Sequence, residues 1–171
     1  MECGSGVSTI ALARALRKRD GRLHSLEHDA GWAAFVAAWL EREGLTATAT
    51  VVDAPLRPYP LSPDETGWYD TGALDRLPGS GVDLLLVDGP PAGEPGLGRS
   101  RYPALPALTG RLSDDAIVVL DDIDRPGEAA VLAAWERETP FSFERLDEAR
   151  IAIGRREPPR GRRLAGPGWM G

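Results

Sequence analysis

At 171 residues the chain has the length of one ordinary domain, enough to enclose a hydrophobic core. Apolar residues make up 42% and charged residues 27%, with no apolar run near the roughly 20 residues a membrane span requires, so a membrane protein is not expected. Cys3 is the only cysteine, which excludes a disulfide framework. With no basic or apolar leader after Met1, it points to the cytoplasm. The net charge is −6, although the last 17 residues hold five arginines against Glu157 alone. The remaining body is therefore more acidic still, which argues against a nucleic-acid partner.

Strand-like and helix-like segments alternate along the chain, the pattern of an α/β sheet. Val7 to Arg19 reads as a helix ended by Asp20-Gly21, and Arg22 to Glu27 as a short strand. Trp32, Phe35, Val36, Trp39 and Leu40 recur at helical spacing and predict an amphipathic helix whose tryptophans face the core, with Gly44 closing it. Thr46 to Val52 alternates as a strand. Ala54 to Ser80 reads as a loop with one short helix near Thr71 to Leu77; its Tyr59, Trp68 and Tyr69, with Tyr102 further on, are candidate substrate contacts.

Val82 to Val87 is a nearly continuous apolar run, as in a strand buried on both faces. A loop over Gly89 to Ser100 leads to a helix over Pro103 to Leu112, then a second buried strand over Ala116 to Leu120. Asp124 and Pro126 suit the cap and first turn of a helix ending near Thr139. Phe141 to Leu146 and Ala149 to Gly154 then pair as a hairpin. The expected fold is a doubly wound, mostly parallel sheet with a reversed terminal hairpin. Its first strand is largely missing, because only Met1 to Cys3 precede the first glycine turn. The chain thus reads as N-terminally shortened.

Two features carry chemistry at the start. Gly4-Ser5-Gly6 precedes a helix, where glycines allow close approach and free amides await a ligand. Thr9 stands where a dinucleotide-binding loop would have its third glycine, favouring a ligand without a pyrophosphate. Glu27 ends the second strand, where a carboxylate can accept from two ribose hydroxyls.

Together, Glu2-Cys-Gly-Ser-Gly-Val-Ser-Thr9, Leu26-Glu-His-Asp29, Val52-Asp-Ala54, Val87-Asp-Gly-Pro90 and Leu120-Asp-Asp122 resemble the successive motifs of class I S-adenosylmethionine-dependent methyltransferases. The resemblance spans Met1 to about Gly154 and implies a Rossmann-like methyltransferase domain over residues 1–154, with a basic tail over 155–171 expected to be disordered. It implies that Gly4, Ser5 and Gly6 form the loop under the amino-acid end of S-adenosylmethionine, with Glu2 toward its amino group and Ser8 and Thr9 also among the cofactor-binding residues. Glu27 would hold the ribose, His28 would lie beside the adenosine, and Asp53 and Ala54 would contact the adenine.

Asp88, Asp121 and Asp122 end two strands expected to be neighbours, about 4.8 Å apart. Crowded like charges call for a cation, and all-oxygen donors suit Mg²⁺, similar to the site of catechol-type and macrolide-sugar O-methyltransferases. The other reading leaves Asp88 to position substrate, as the candidate catalytic residue, and the remaining aspartates as loop and cap residues. Zinc is disfavoured, since His24, His28 and Cys3 show no ligand spacing. The expected activity is methyl transfer to a small-molecule hydroxyl. A nicotinamide-dependent oxidoreductase and a catalytically inactive methyltransferase-fold fragment or partner subunit are the competing readings, and a second copy of the chain could supply the missing strand.

Overall fold

The computed structural model describes residues 1–63, 67–93 and 96–157. The tail from 158 onward, expected to be disordered, lies outside the described residues, but its expected beginning does not: the last strand continues through Arg156.

Seven strands form one sheet: β1 (Glu2–Cys3), β2 (Leu23–Glu27), β3 (Ala49–Asp53), β6 (Val82–Val87), β7 (Leu112–Leu120), β8 (Phe141–Leu146) and β9 (Ile151–Arg156). Between β3 and β6 in the chain, β4 (Leu56–Arg57) and β5 (Trp68–Tyr69) form a separate antiparallel pair. The main order is β3-β2-β1-β6-β7-β9-β8, with the first five strands parallel and β9 antiparallel to both β7 and β8. This is the expected mostly parallel sheet with its reversed hairpin.

The first strand keeps the central place although it has two residues. Glu2 is in register with Ser25 on one side and Leu86 on the other, and Cys3 with Leu26 and Val87. The Met1 amino group donates to the Leu84 carbonyl at 2.7 Å. Below it, β2 and β6 flank a concavity of about 340 Å³ whose walls include Leu12, Leu16, Leu23, Val82 and Leu84.

Helices α1 (Val7–Arg17) and α2 (Ala30–Arg42) enclose a smaller core of Ile10, Ala13, Leu23, Val36, Leu40, Leu45 and Ala49. α3 (Thr71–Leu74), α4 (Ala104–Leu108) and α5 (Pro126–Glu138) belong to the larger core, whose biggest buried side chains are Trp68, Trp135 and Tyr69. Among the described residues no helix is long and apolar enough to cross a membrane.

Several expectations are corrected here. The buried stripe of α2 is Ala33, Val36 and Leu40, while Trp32 and Phe35 are 45% and 54% exposed. Small Ala33 fits the close helix–sheet contact, so the aromatic residues turn outward and stack, with Trp32 and Phe35 centroids 5.2 Å apart. Trp68 and Tyr69 are not loop contacts for a substrate: they form β5 and are fully buried. Asp124 is not the cap of α5. Its carboxylate accepts from Arg150 Nε at 2.9 Å, and the helix begins at Arg125 and Pro126 without a side-chain cap. β7 starts at Leu112 rather than Ala116, because Ser113, Asp114 and Asp115 extend the strand past the apolar run.

Candidate active site

The carboxyl ends of β1, β2 and β6 meet at the point where the strand order reverses, the usual crevice of an open α/β sheet. There a cavity of about 380 Å³ is lined by Gly4, Ser5, Glu27, His28, Asp29, Trp32, Asp88, Gly89 and Pro91. That volume is in the range of small-molecule sites.

Its floor is the crossing of two turns. Gly4 has a φ of +86°, and a Cβ there would lie 3.0–3.2 Å from Gly89 N and the Asp88 carbonyl group. A Cβ on Gly89 would lie 2.7 Å from the Tyr69 hydroxyl and 2.8 Å from Gly4 Cα. Neither glycine has room for a side chain, so backbone alone forms this wall.

Glu27 organises the rim and is only 3% exposed. Its Oε2 accepts from Ser5 N at 3.0 Å and Ser5 Oγ at 2.9 Å. Oε1 accepts from His28 N at 2.8 Å and Asp29 N at 3.0 Å, with His28 Nδ1 2.9 Å away. Asp29 caps α2 by accepting from Trp32 N at 2.7 Å, and Trp32 Nε1 donates to the Ser5 carbonyl at 2.8 Å. One carboxylate and one indole therefore tie the glycine loop to the start of α2.

The remaining members of the first motif work beneath the cavity. Glu2 is fully buried, and its Oε2 accepts from Ser25 Oγ and, at 2.6 Å, from Thr9 Oγ1. Thr9 Oγ1 in turn accepts from Gly6 N at 2.9 Å. The threonine that replaces a third glycine thus closes the first turn of α1. Gly6, Ser8, Asp53 and Ala54 are likewise not among the lining residues. Asp53 pairs with Glu27 in register, its carbonyl accepting from Arg76, and Ala54 N donates to the Glu27 carbonyl at 2.7 Å. Cys3 is buried, and that burial pushes its thiol up to about 12, so it is no nucleophile.

Asp88, Asp121 and Asp122 do converge, each placing an oxygen within 4.8 Å of the others. Asp88 lines the cavity with its side chain 43% exposed. Burial raises its carboxyl to about 6 despite the opposing pull of Arg101, with Asp121, Asp122 and Glu2 adding in the same direction as burial. Asp122 adopts a left-handed backbone, φ 61°, which aspartate tolerates better than most residues.

Two residues at this site escape sequence reasoning. Periodicity places Trp32 in the core, although its position in the first turn of α2, five residues after Glu27, is a signal for the rim. Arg101 is 3% exposed and reaches into the aspartate cluster from the segment before α4. No local pattern marks it, since its partners come from three separate segments, the ends of β6 and β7 and the first turn of α5.

Residues 1–123 match the family model described as a methyltransferase domain. The chain belongs to this family and has the class I S-adenosylmethionine-dependent methyltransferase architecture. Among solved structures it is similar to the SAH-bound methyltransferase PaMTH1 of Podospora anserina, at 17% identity and a TM-score of 0.67, covering 92% of this chain and 70% of that one. The O-methyltransferase of Bacillus cereus in complex with SAH is similar at 17% identity and a TM-score of 0.62, covering 91% and 72%. The tRNA methyltransferase TrmK of B. subtilis is similar at 12% identity and a TM-score of 0.55, covering 91% and 59%. No curated protein matches.

Proposed function

We propose that this chain binds S-adenosylmethionine in the cavity between Gly4, Glu27 and Asp88 and methylates a hydroxyl of a small-molecule acceptor. The observation that carries the reading is the Glu27 carboxylate. It stands at the end of β2 with a hydroxyl, Ser5 Oγ, already donating to Oε2, and a ribose hydroxyl would present the same O–H···O chemistry. When bound, the cofactor supplies an electrophilic methyl on a sulfonium.

The chain's own residues then have three tasks. The Gly4–Gly89 crossing brings backbone close to the ligand, and Glu27 with His28 fixes its orientation. Asp88, next to the cavity and with a raised pKa, accepts the proton that an attacking hydroxyl must lose. The acidic body favours a small molecule over RNA as acceptor, although one structural neighbour acts on tRNA. Nothing in the comparisons favours the nicotinamide reading.

The test is calorimetric titration of the full chain with S-adenosylhomocysteine, with NAD in parallel, on wild type and Glu27→Ala. Saturable binding of the first ligand alone, lost in the variant, is expected. A folded chain that binds neither ligand overturns the proposal.

A further inference from the structure

The aspartate cluster beside the cavity is the arrangement in which a divalent metal is sought, yet its residues do not fit one. Asp88 Oδ1 and Asp122 Oδ2 are bridged by a single nitrogen, Arg101 Nη2, at 3.1 and 3.2 Å. The same guanidinium donates from Nη1 to the Asp121 carbonyl at 3.1 Å and from Nε to the Pro90 carbonyl at 3.3 Å, with Glu128 Oε1 3.6 Å from Nη1. Arg101 is therefore a buried cation seated among the carboxylates, held from the ends of β6 and β7 and the start of α5.

The acceptors are also spoken for. Asp122 Oδ2 takes Arg125 Nη1 at 2.8 Å as well as Arg101, while Asp122 Oδ1 takes Arg150 Nη2 at 2.6 Å. Asp121 Oδ1 accepts from Asp122 N at 2.8 Å. Among the described residues, one oxygen on Asp88 and one on Asp121 remain, with the buried Glu128 Oε2. Mg²⁺ asks for six oxygens in near-octahedral array at about 2.1 Å, and a guanidinium some 3 Å away would repel it. Three guanidiniums (Arg101, Arg125, Arg150) already pair with the carboxylates of Asp88, Asp122 and Glu128.

We infer that Arg101 is the built-in cation of this cluster, holding Asp88 in place by hydrogen bonds and making a divalent metal unnecessary for this chain. Arg101 is a positioning residue: it acts on the acceptor through Asp88. An arginine keeps its charge at every working pH and offers donors in a fixed fork. It cannot polarise an acceptor oxygen as a coordinated metal would, so proton removal is left to Asp88. That consequence rests on the methyl-transfer reading; the cation assignment itself does not.

The experiment measures metal directly and without cofactor, so its outcome is separate from that reading. The full chain, stripped with EDTA, is titrated with Mn²⁺ and followed by electron paramagnetic resonance, with Mg²⁺ competition. Wild type is expected to show no saturable site up to millimolar Mn²⁺. Arg101→Met removes the charge at similar volume and is expected to gain a micromolar to sub-millimolar Mn²⁺ site that Asp122→Asn on the same background abolishes. A merely structural arginine would not produce that gain. A wild-type site in the micromolar range, lost in Asp122→Asn, overturns the inference. So does an Arg101→Met chain that is folded by circular dichroism and binds no Mn²⁺. Should that variant not fold, the wild-type titration decides alone, absence of a site supporting the inference and presence overturning it.

Discussion

Replacing Glu27 with glutamine separates the carboxylate's charge from its shape. The side chain is nearly isosteric, but it exchanges one acceptor oxygen for an NH₂ donor. With the amide nitrogen on the Oε1 side it faces His28 N and Asp29 N; flipped, it faces Ser5 N. In either rotamer at least one backbone donor is left opposing another donor in a site that is 3% exposed. Hydrogen bonds to a charged group contribute about 1.5–3 kcal/mol each, so losing one or two gives a destabilisation of about 3 kcal/mol. With a urea slope of about 1–3 kcal/mol per molar, the unfolding midpoint falls by more than about 1 M. Losing a charged acceptor for the ribose hydroxyls weakens S-adenosylhomocysteine by roughly 10–100-fold, at about 1.4 kcal/mol per decade. Urea melts and calorimetry on the same preparations read both numbers. Ser5→Ala is the control: it removes only the Oγ donor at 2.9 Å and leaves Oε2 with the Ser5 N donor at 3.0 Å and room for a ligand hydroxyl, so affinity is expected to hold or rise. A Glu27→Gln chain as stable as wild type, binding the ligand within twofold, would refute the role given to this carboxylate.

Trp32→Ala removes an exposed side chain whose indole holds the Ser5 carbonyl, so S-adenosylhomocysteine affinity is expected to fall about tenfold in titration while stability changes by less than about 1 kcal/mol. Gly89→Ala drives a Cβ to 2.7 Å from the Tyr69 hydroxyl and 2.8 Å from Gly4 Cα, so overpacking costs about 1–3 kcal/mol in a urea melt and distorts the cavity floor enough to lose ligand. The methyl-transfer rate is expected to rise with pH through about 6, as Asp88 loses its proton, and Asp88→Asn should abolish that limb along with most of the rate. Stability runs the other way at Asp88. Its folded pKa lies above the usual carboxylate value, so between about 4 and 6 the folded chain binds more protons and loses stability as pH rises. Solvent screening at a side chain 43% exposed keeps that second effect small.

What could be read from residues alone follows the range of the interactions involved. β6 is found at the apolar run Val82–Val87 itself, because a nearly continuous apolar run of strand length announces itself without tertiary context, although Asp83 is exposed and Leu84 and Leu86 are only half-buried. The reversed hairpin and the Glu27 position are local spacings and were legible too. The errors arise where two local rules compete or where none applies. On α2 the helical periodicity of the aromatics is real, but the sheet takes the stripe that begins at Ala33, which turns Trp32 toward the cavity and Phe35 to solvent. β4 and β5 are two residues each, below the length at which alternation is readable. Arg101 lies at the limit of this series. A buried guanidinium is stable only where several acceptors meet, and here they come from residues 88, 90, 121, 122 and 128. The aspartates at strand ends could be counted in the sequence, and their convergence follows from the strand order. Which cation joins them depends on how one loop between β6 and α4 folds back across the sheet edge. Reading the carboxylates without that loop leads to a metal; reading them with it leads to an arginine.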